Sequence, residues 1–177
     1  SGGYMLVGDS AWMPKPIDAG GIGPALIAGT ILGKNVVDAI EANDVTEKGL
    51  WQYNLDFIEE YGYKTAGLEL FRRLVQTLTN EQISYGMKHF LGNVDVEAIS
   101  KGEHPDFSGL NKLGMIIHGA MNKTVASGLK YTSEQNQWLV EHYRNYPKEP
   151  SGFEEWNKSL LKTLDESFAK IASFAKN

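Results

Sequence analysis

Apolar residues recur every four positions through most of this chain, the spacing that stacks side chains on one face of a helix. Ala66, Leu70, Leu74 and Leu78 form the clearest stripe. Upstream of it, Thr46 predicts an N-cap, with Gly49, Trp51, Tyr53, Phe57 and Tyr61 following and Gly62 ending the helix. Downstream, Asn80 caps a helix with Ile83, Met87, Phe90 and Leu91 inward, until Gly92-Asn93 breaks it. A short helix over 94–101 and a loop over 102–106 come next. Ser108 then opens a longer helix, with Leu110, Leu113, Ile117, Met121 and Val125 on one face. Helix formers return over 133–144, and Pro147 and Pro150 bound a linker. A last helix over about 153–175 turns Trp156, Leu160, Leu164, Phe168, Ile171 and Phe174 inward. Trp51, Trp138 and Trp156 share this helical spacing and are core by default.

The beginning of the chain reads differently. Residues 4–7 are a short apolar run that predicts a strand. A long apolar helix follows over about 22–42, with Pro24 in its first turn, where a missing N–H costs nothing. Ala25, Gly29 and Gly33 leave one of its faces nearly bare, which suits close packing onto a sheet better than a membrane helix pair. A single strand has nothing to pair with, so the chain reads as a fragment whose remaining sheet lies upstream. The expected class is mainly α: a terminal strand and long helix, then a helical region.

Composition changes this picture only by exclusion. The net charge of −5 over 177 residues argues against nucleic acid, which calls for a basic face. There is no cysteine, hence no disulfide and no thiolate chemistry. The four histidines show no metal-ligand spacing, so no metal site is expected. His118 sits in an apolar stretch and reads as a core histidine. Arg72-Arg73 reads as a solvated pair, and Lys158, Lys162, Lys170 and Lys176 as a solvated helix face.

The candidate chemistry lies in one stretch, YMLVGDSAWMPKPIDAGGIGPAL, running from Tyr4 to Leu26. It places the Asp9 carboxylate at a strand end and the unpaired N–H groups of a helix start behind two glycines, Gly20 and Gly21. A phosphate, a ring carbonyl or a ribityl hydroxyl suits such a helix start, whereas the plain alternative is an Asp that caps its own loop. Gly8-Asp9-Ser10 after a strand also suits a serine hydrolase of the GDS type. That chemistry needs a histidine base and an orienting carboxylate. The family supplies them as Asp-x-x-His, yet the residues three before His89, His104, His118 and His142 are Gly86, Lys101, Met115 and Leu139. The Gly-x-Asn-Asp block is missing too, because Glu41-Ala42 precedes Asn43-Asp44.

GDSAWMPKPIDAGGIGPAL resembles the third flavin-contacting motif of the aromatic hydroxylase type of FAD enzyme, and within that group it is most similar to the geranylgeranyl reductases. Gly8, Asp9, Ala11, Pro16, Gly20, Gly21, Ile22 and Ala25 fall on their pattern without a gap. Ser10 replaces the usual Ala, Trp12 stands where Arg or His is common, and Ala19 stands for the first of three glycines. The resemblance implies that Gly8, Asp9, Pro16, Gly20, Gly21 and Ile22 bind FAD, with Asp9 on the ribityl chain and the backbone at Gly20, Gly21 and Ile22 against the flavin ring. It implies that residues 1–45 end an α/β FAD-binding domain and that 46–177 form a helical C-terminal domain. The implied activity is reduction of C=C bonds in isoprenoid (geranylgeranyl) lipid chains by a cytoplasmic enzyme with peripheral membrane contact. Its electron donor is NAD(P)H or ferredoxin, its catalytic residues are unassigned, and this stretch alone is expected to be inactive. The helix beginning at Ser108 is a candidate wall of the lipid tunnel. A flavin monooxygenase of another substrate class and a helical interaction or dimerisation module are the alternatives.

Overall fold

The computed structural model describes residues 2–89 and 123–174. Seven α-helices are described: α1 (Ile22–Glu41), α2 (Gln52–Phe57), α3 (Tyr63–Thr65), α4 (Leu68–Thr77), α5 (Asn80–His89), α6 (Lys123–Arg144) and α7 (Phe153–Phe174). The continuation through Phe90 and Leu91, the short helix over 94–101, the loop with His104, and the stretch from Ser108 through His118 lie outside the described residues.

The Leu stripe of α4 forms the centre of the core. Leu70 and Leu74 are fully buried, packed with Val125, Leu129 and Leu139 of α6 and Leu160 and Ile171 of α7. Gly128 lets α6 come close: a Cβ there would lie 2.5 Å from Leu74 Cδ1. That approach explains why Lys123–Arg144 runs as one 22-residue helix through a glycine, where two helices were expected. The glycine's low propensity, worth about 1 kcal/mol against Ala, is offset by burying Leu74 against the helix backbone.

Local rules account for several helix ends. Thr79 and Gln82 make a reciprocal capping box at α5, Gln82 N–H to Thr79 Oγ1 at 3.3 Å and Thr79 N–H to Gln82 Oε1 at 2.9 Å. The cap is therefore Thr79 and not Asn80, which begins the helix. Met87 of α5, expected inward, is 53% exposed. Gly62 does not end the second helix either. Residues Ile58–Gly62 form a π turn, and the helical path continues into α3.

A second cluster joins the chain's first third to its last. Trp51 is buried, stacks on Tyr146 with centroids 5.6 Å apart, and donates Nε1–H to the Pro147 carbonyl at 2.8 Å. The α6–α7 hairpin is closed by a stack of three rings. His142 lies between Trp138 and Trp156, with centroids 4.5 Å and 4.7 Å away. The Trp156 carbonyl, 3.1 Å from His142 Nε2, can only accept, so Nε2 carries the hydrogen. Trp138 is thus an exposed stacking partner and not a core residue.

Burial pulls the His142 pKa below its ordinary value, against the opposing pull of the Trp156 hydrogen bond. The unfolded chain then binds this proton more readily than the folded one. Its contribution to stability is complete above the ordinary histidine pKa of about 6.5 and is lost as pH falls through the lowered value. Thermal melts between pH 8 and 5 should show this loss, and His142→Phe, which keeps a ring in the stack, should flatten it.

Residues 4–7 lead into the turn with Val7 extended, but they form no strand among the described residues. The Leu6 carbonyl instead accepts from the Tyr53 hydroxyl at 3.0 Å, and the Gly3 N–H donates to the Val45 carbonyl at 2.8 Å. Helix α1 docks on α2 through buried Asn35, whose Nδ2 donates to Asp56 Oδ2 at 2.9 Å. Gly29 and Gly33, expected to press against a sheet, have nothing within 4 Å of a built Cβ among the described residues.

Candidate functional site

The turn between residues 4–7 and α1 is held by its own backbone and short side chains. Gly8 starts a 3-10 turn (Gly8–Ala11) at φ 70°, a left-handed value that favours glycine. Gly8 is buried, and a Cβ there would lie 3.5 Å from Ala25 Cβ, so the turn rests on the first turn of α1. Asp18 folds the following loop: its Oδ1 accepts the Gly20 N–H at 2.9 Å and its Oδ2 meets Lys15 Nζ at 2.9 Å. Slight burial would raise the Asp18 pKa, but these two partners overcome it and hold the carboxyl below the usual range. Ala19 takes φ 56°, the left-handed conformation for which glycine is better suited.

These contacts bring Asp9 and Gly21 together. A Cβ built on Gly21 would sit 2.8 Å from Asp9 Oδ1, so the carboxylate lies directly over the N-cap of α1. No side chain caps that helix start. Pro24 has no N–H to satisfy, which leaves the amides of Ile22 and Gly23 in the first turn. The space in front of them is open: Ile22 is 81% exposed, and a Cβ on Gly23 would meet nothing within 4 Å. A carboxylate acceptor and free helix-start donors therefore face one accessible space. Of the six expected residues, Asp9 and Gly21 meet, Gly20 and Ile22 flank Gly21 in the chain, Gly8 starts the turn, and Pro16 lines a different space.

Pro16 belongs to a neighbouring cleft of about 590 Å³. Trp12, Met13 and Pro14 share its wall, and Tyr53, Phe57 and Tyr61 of the α2–π segment face them across it. Trp12 is 94% exposed with its backbone at φ 54°. Sequence reasoning took the Tyr53, Phe57, Tyr61 spacing as helix core alone. The π turn that carries Tyr61 has no sequence signature, so the spacing alone could not show that these rings border a cavity.

Ser10 donates Oγ–H to the Val7 carbonyl at 2.9 Å, a local turn bond rather than a link to a histidine base. Arg72 and Arg73 both bind Glu69, with Arg73 Nε 3.0 Å from Oε1. Burial alone would raise the Glu69 pKa, but the two guanidiniums hold it below its ordinary value. The two arginines are therefore not the solvated pair expected: they share the partly buried Glu69, and the Arg73 guanidinium lies 4.5 Å from the Phe168 ring centroid of α7. Among the described residues, no helix is long and apolar enough to cross a membrane.

No family model matches the chain. Curated proteins do. The chain is 34% identical to a digeranylgeranylglycerophospholipid reductase of Sulfolobus acidocaldarius over 166 residues, 93% of this chain and 36% of that protein. It is 29% identical to digeranylgeranylglycerophospholipid reductase 2 of Methanopyrus kandleri over 57% of this chain and 25% of the relative. With the digeranylgeranylglycerophospholipid reductase of Methanococcus aeolicus it shares 33% identity over 55% of this chain and 26% of the relative. The chain thus spans about a third or less of the length of these relatives, and the part matched is C-terminal.

Proposed function

Because the chain is geranylgeranyl reductase-like in sequence over nearly its whole length, we propose that it is the C-terminal portion of an FAD-dependent oxidoreductase that reduces C=C bonds in the isoprenoid chains of lipids. The observation that carries this reading is the Asp9 carboxylate over the uncapped start of α1, with Gly21 leaving room for it. Those residues suit a flavin. Asp9 would accept a ribityl hydroxyl, while the Ile22 and Gly23 amides would donate to electron-rich atoms of the ring. Gly8 and Gly20 hold the turn that sets Asp9 in place, and Pro16 carries the wall shared with the cleft. When bound, reduced FAD supplies the reducing electrons.

In this reading residues 1–45 close the FAD-binding domain and 46–177 form a helical domain. The cleft walled by Trp12 to Pro16 and by Tyr53, Phe57 and Tyr61 would hold a segment of the isoprenoid chain beside the flavin and keep water away from it. Access from a membrane surface by peripheral contact suits such a substrate, as does a cytoplasmic enzyme reduced by NAD(P)H or a ferredoxin.

The test uses the full-length protein. Removing a hydrogen bond to an ionised group costs about 1.5–3 kcal/mol, so Asp9→Ala should weaken FAD binding by about tenfold to a hundredfold. Ser10→Ala should leave it unchanged. Titration of apoprotein with FAD, followed by flavin fluorescence, measures both. Unaltered FAD affinity in Asp9→Ala, or an esterase activity abolished in Ser10→Ala, would sink the reading.

A further inference from the structure

We propose that the Tyr61 hydroxyl is the polar anchor of the cleft, donating a hydrogen bond to a neutral acceptor oxygen, ether or alcohol, on a ligand whose body is otherwise apolar. This rests on the reading of the cleft as a lipid site and adds the atom that positions the lipid along it.

Tyr61 lines the cleft and is only 8% exposed. Its hydroxyl is buried and has no hydrogen-bond partner among the described residues. Tyr53, two turns earlier on the same helical run and lining the same cleft, is satisfied by the Leu6 carbonyl. Buried polar groups in folded proteins are nearly always paired, and this one calls for a partner that the described residues do not supply. The surroundings supply apolar contact instead: Met5, Leu50, Phe57, Leu139 and Leu164 also line the space, and the Phe57 ring lies 5.7 Å from that of Tyr61. The π turn at Ile58–Gly62 carries Tyr61, and such turns, with one more residue than an α turn, re-aim side chains at functional sites.

The electrostatics select the ligand atom. Burial, and then the negative charge of Asp18, push the Tyr61 pKa up to about 12. At neutral pH the group is therefore an O–H and can donate. The described residues that line the cleft include Glu47 and Glu69 and no lysine or arginine, so a phosphate finds no cation to meet there. A neutral oxygen attached to a long apolar chain meets both conditions, with the chain lying along the aromatic wall.

The experiment compares two probes in full-length protein, geranylgeranyl methyl ether and the hydrocarbon of the same carbon skeleton, each titrated in the same detergent. Quenching of tryptophan fluorescence reports binding, because Trp12 and Trp51 line the cleft. Tyr61→Phe should weaken the ether by about threefold to tenfold, the worth of one neutral hydrogen bond, and leave the hydrocarbon unchanged. It should also leave the melting temperature of the ligand-free protein the same or higher. Tyr53→Phe is the control, losing stability without telling the two probes apart. Equal weakening of both probes, no weakening of either, or a ligand-free melting temperature lowered by Tyr61→Phe would overturn the anchor while leaving the lipid site standing. A wild-type protein that binds neither probe would overturn the lipid site and the anchor together.

Discussion

Leu74→Ala is expected to cost the fold about 2–5 kcal/mol, the range for emptying a fully buried leucine site. Leu74, on α4, is fully buried in the core shared with α6 and α7, and its Cδ1 would lie 2.5 Å from a Cβ on Gly128. The same contact makes Gly128→Ala destabilising by overfilling instead of emptying. The added methyl enters occupied space in a packed core, at a cost of roughly 1–3 kcal/mol. The two changes are coupled through one volume. In the double variant the methyl added at position 128 fills part of the hole that Leu74 vacates, so the combined loss should fall short of the sum. Denaturant unfolding of the two single variants and the double variant measures this directly. A strictly additive result would mean that α6 does not approach α4 at Gly128.

Gly21→Val is expected to strip flavin from the full-length protein while leaving the helices folded. Its Cβ would come within 2.8 Å of Asp9 Oδ1 and within 3.4 Å of Pro14 Cγ. Asp9 is exposed, so its side chain can swing aside at little cost to stability. What is lost is the position of the carboxylate over the start of α1, and the valine branches enter the space in front of the helix amides. The loss should be at least that of Asp9→Ala, about tenfold to a hundredfold in FAD affinity. Apart from Pro24 in the first turn, the buried positions of α1, at Ala28, Asn35 and Ala39, begin about two turns away. Melting temperature and flavin content of the purified variant, taken together, check the prediction. Retained flavin would make the double glycine a mere turn and would misplace the cofactor.

The helices were legible because their signals are local. The four-residue stripe through Leu70 and Leu74, the proline in the first turn of α1 and the hydrophobic face of α7 depend only on residues within a few positions of one another. The Gly-Asp to Gly-Gly motif was legible for the same reason, since a turn and a helix start can be read from adjacent residues. Where the reading slipped, two local signals competed or a distant partner intervened. Asn80 and Thr79 are both good caps, and only the reciprocal bonds to Gln82 chose Thr79. Gly62 looked like a stop, yet the chain passes it in a π turn. The helix formers over 133–144 looked like a separate helix, whereas α6 runs through them without a break and closes on Leu74 at Gly128.

By itself, the amino-acid sequence determined the mainly helical class, the inward faces of α4 and α7, and the exclusion of disulfide and thiolate chemistry. The tertiary structure decided what residues do to one another. Gly21 matters first for Asp9, well upstream in the chain, because the loop folds back on itself through Asp18. Trp156 became a partly buried stacking partner and Trp138 an exposed one, though both had helical spacing, because only one side of the α6–α7 hairpin meets the Trp51 cluster. Tyr61 and Tyr53 are equivalent in pattern, but the Leu6 carbonyl accepts from Tyr53 and not from Tyr61. Periodicity records which side of a helix is apolar. Which partner arrives on that side, and which polar atom is left without one, depends on contacts between residues far apart in the chain, and no local pattern encodes them.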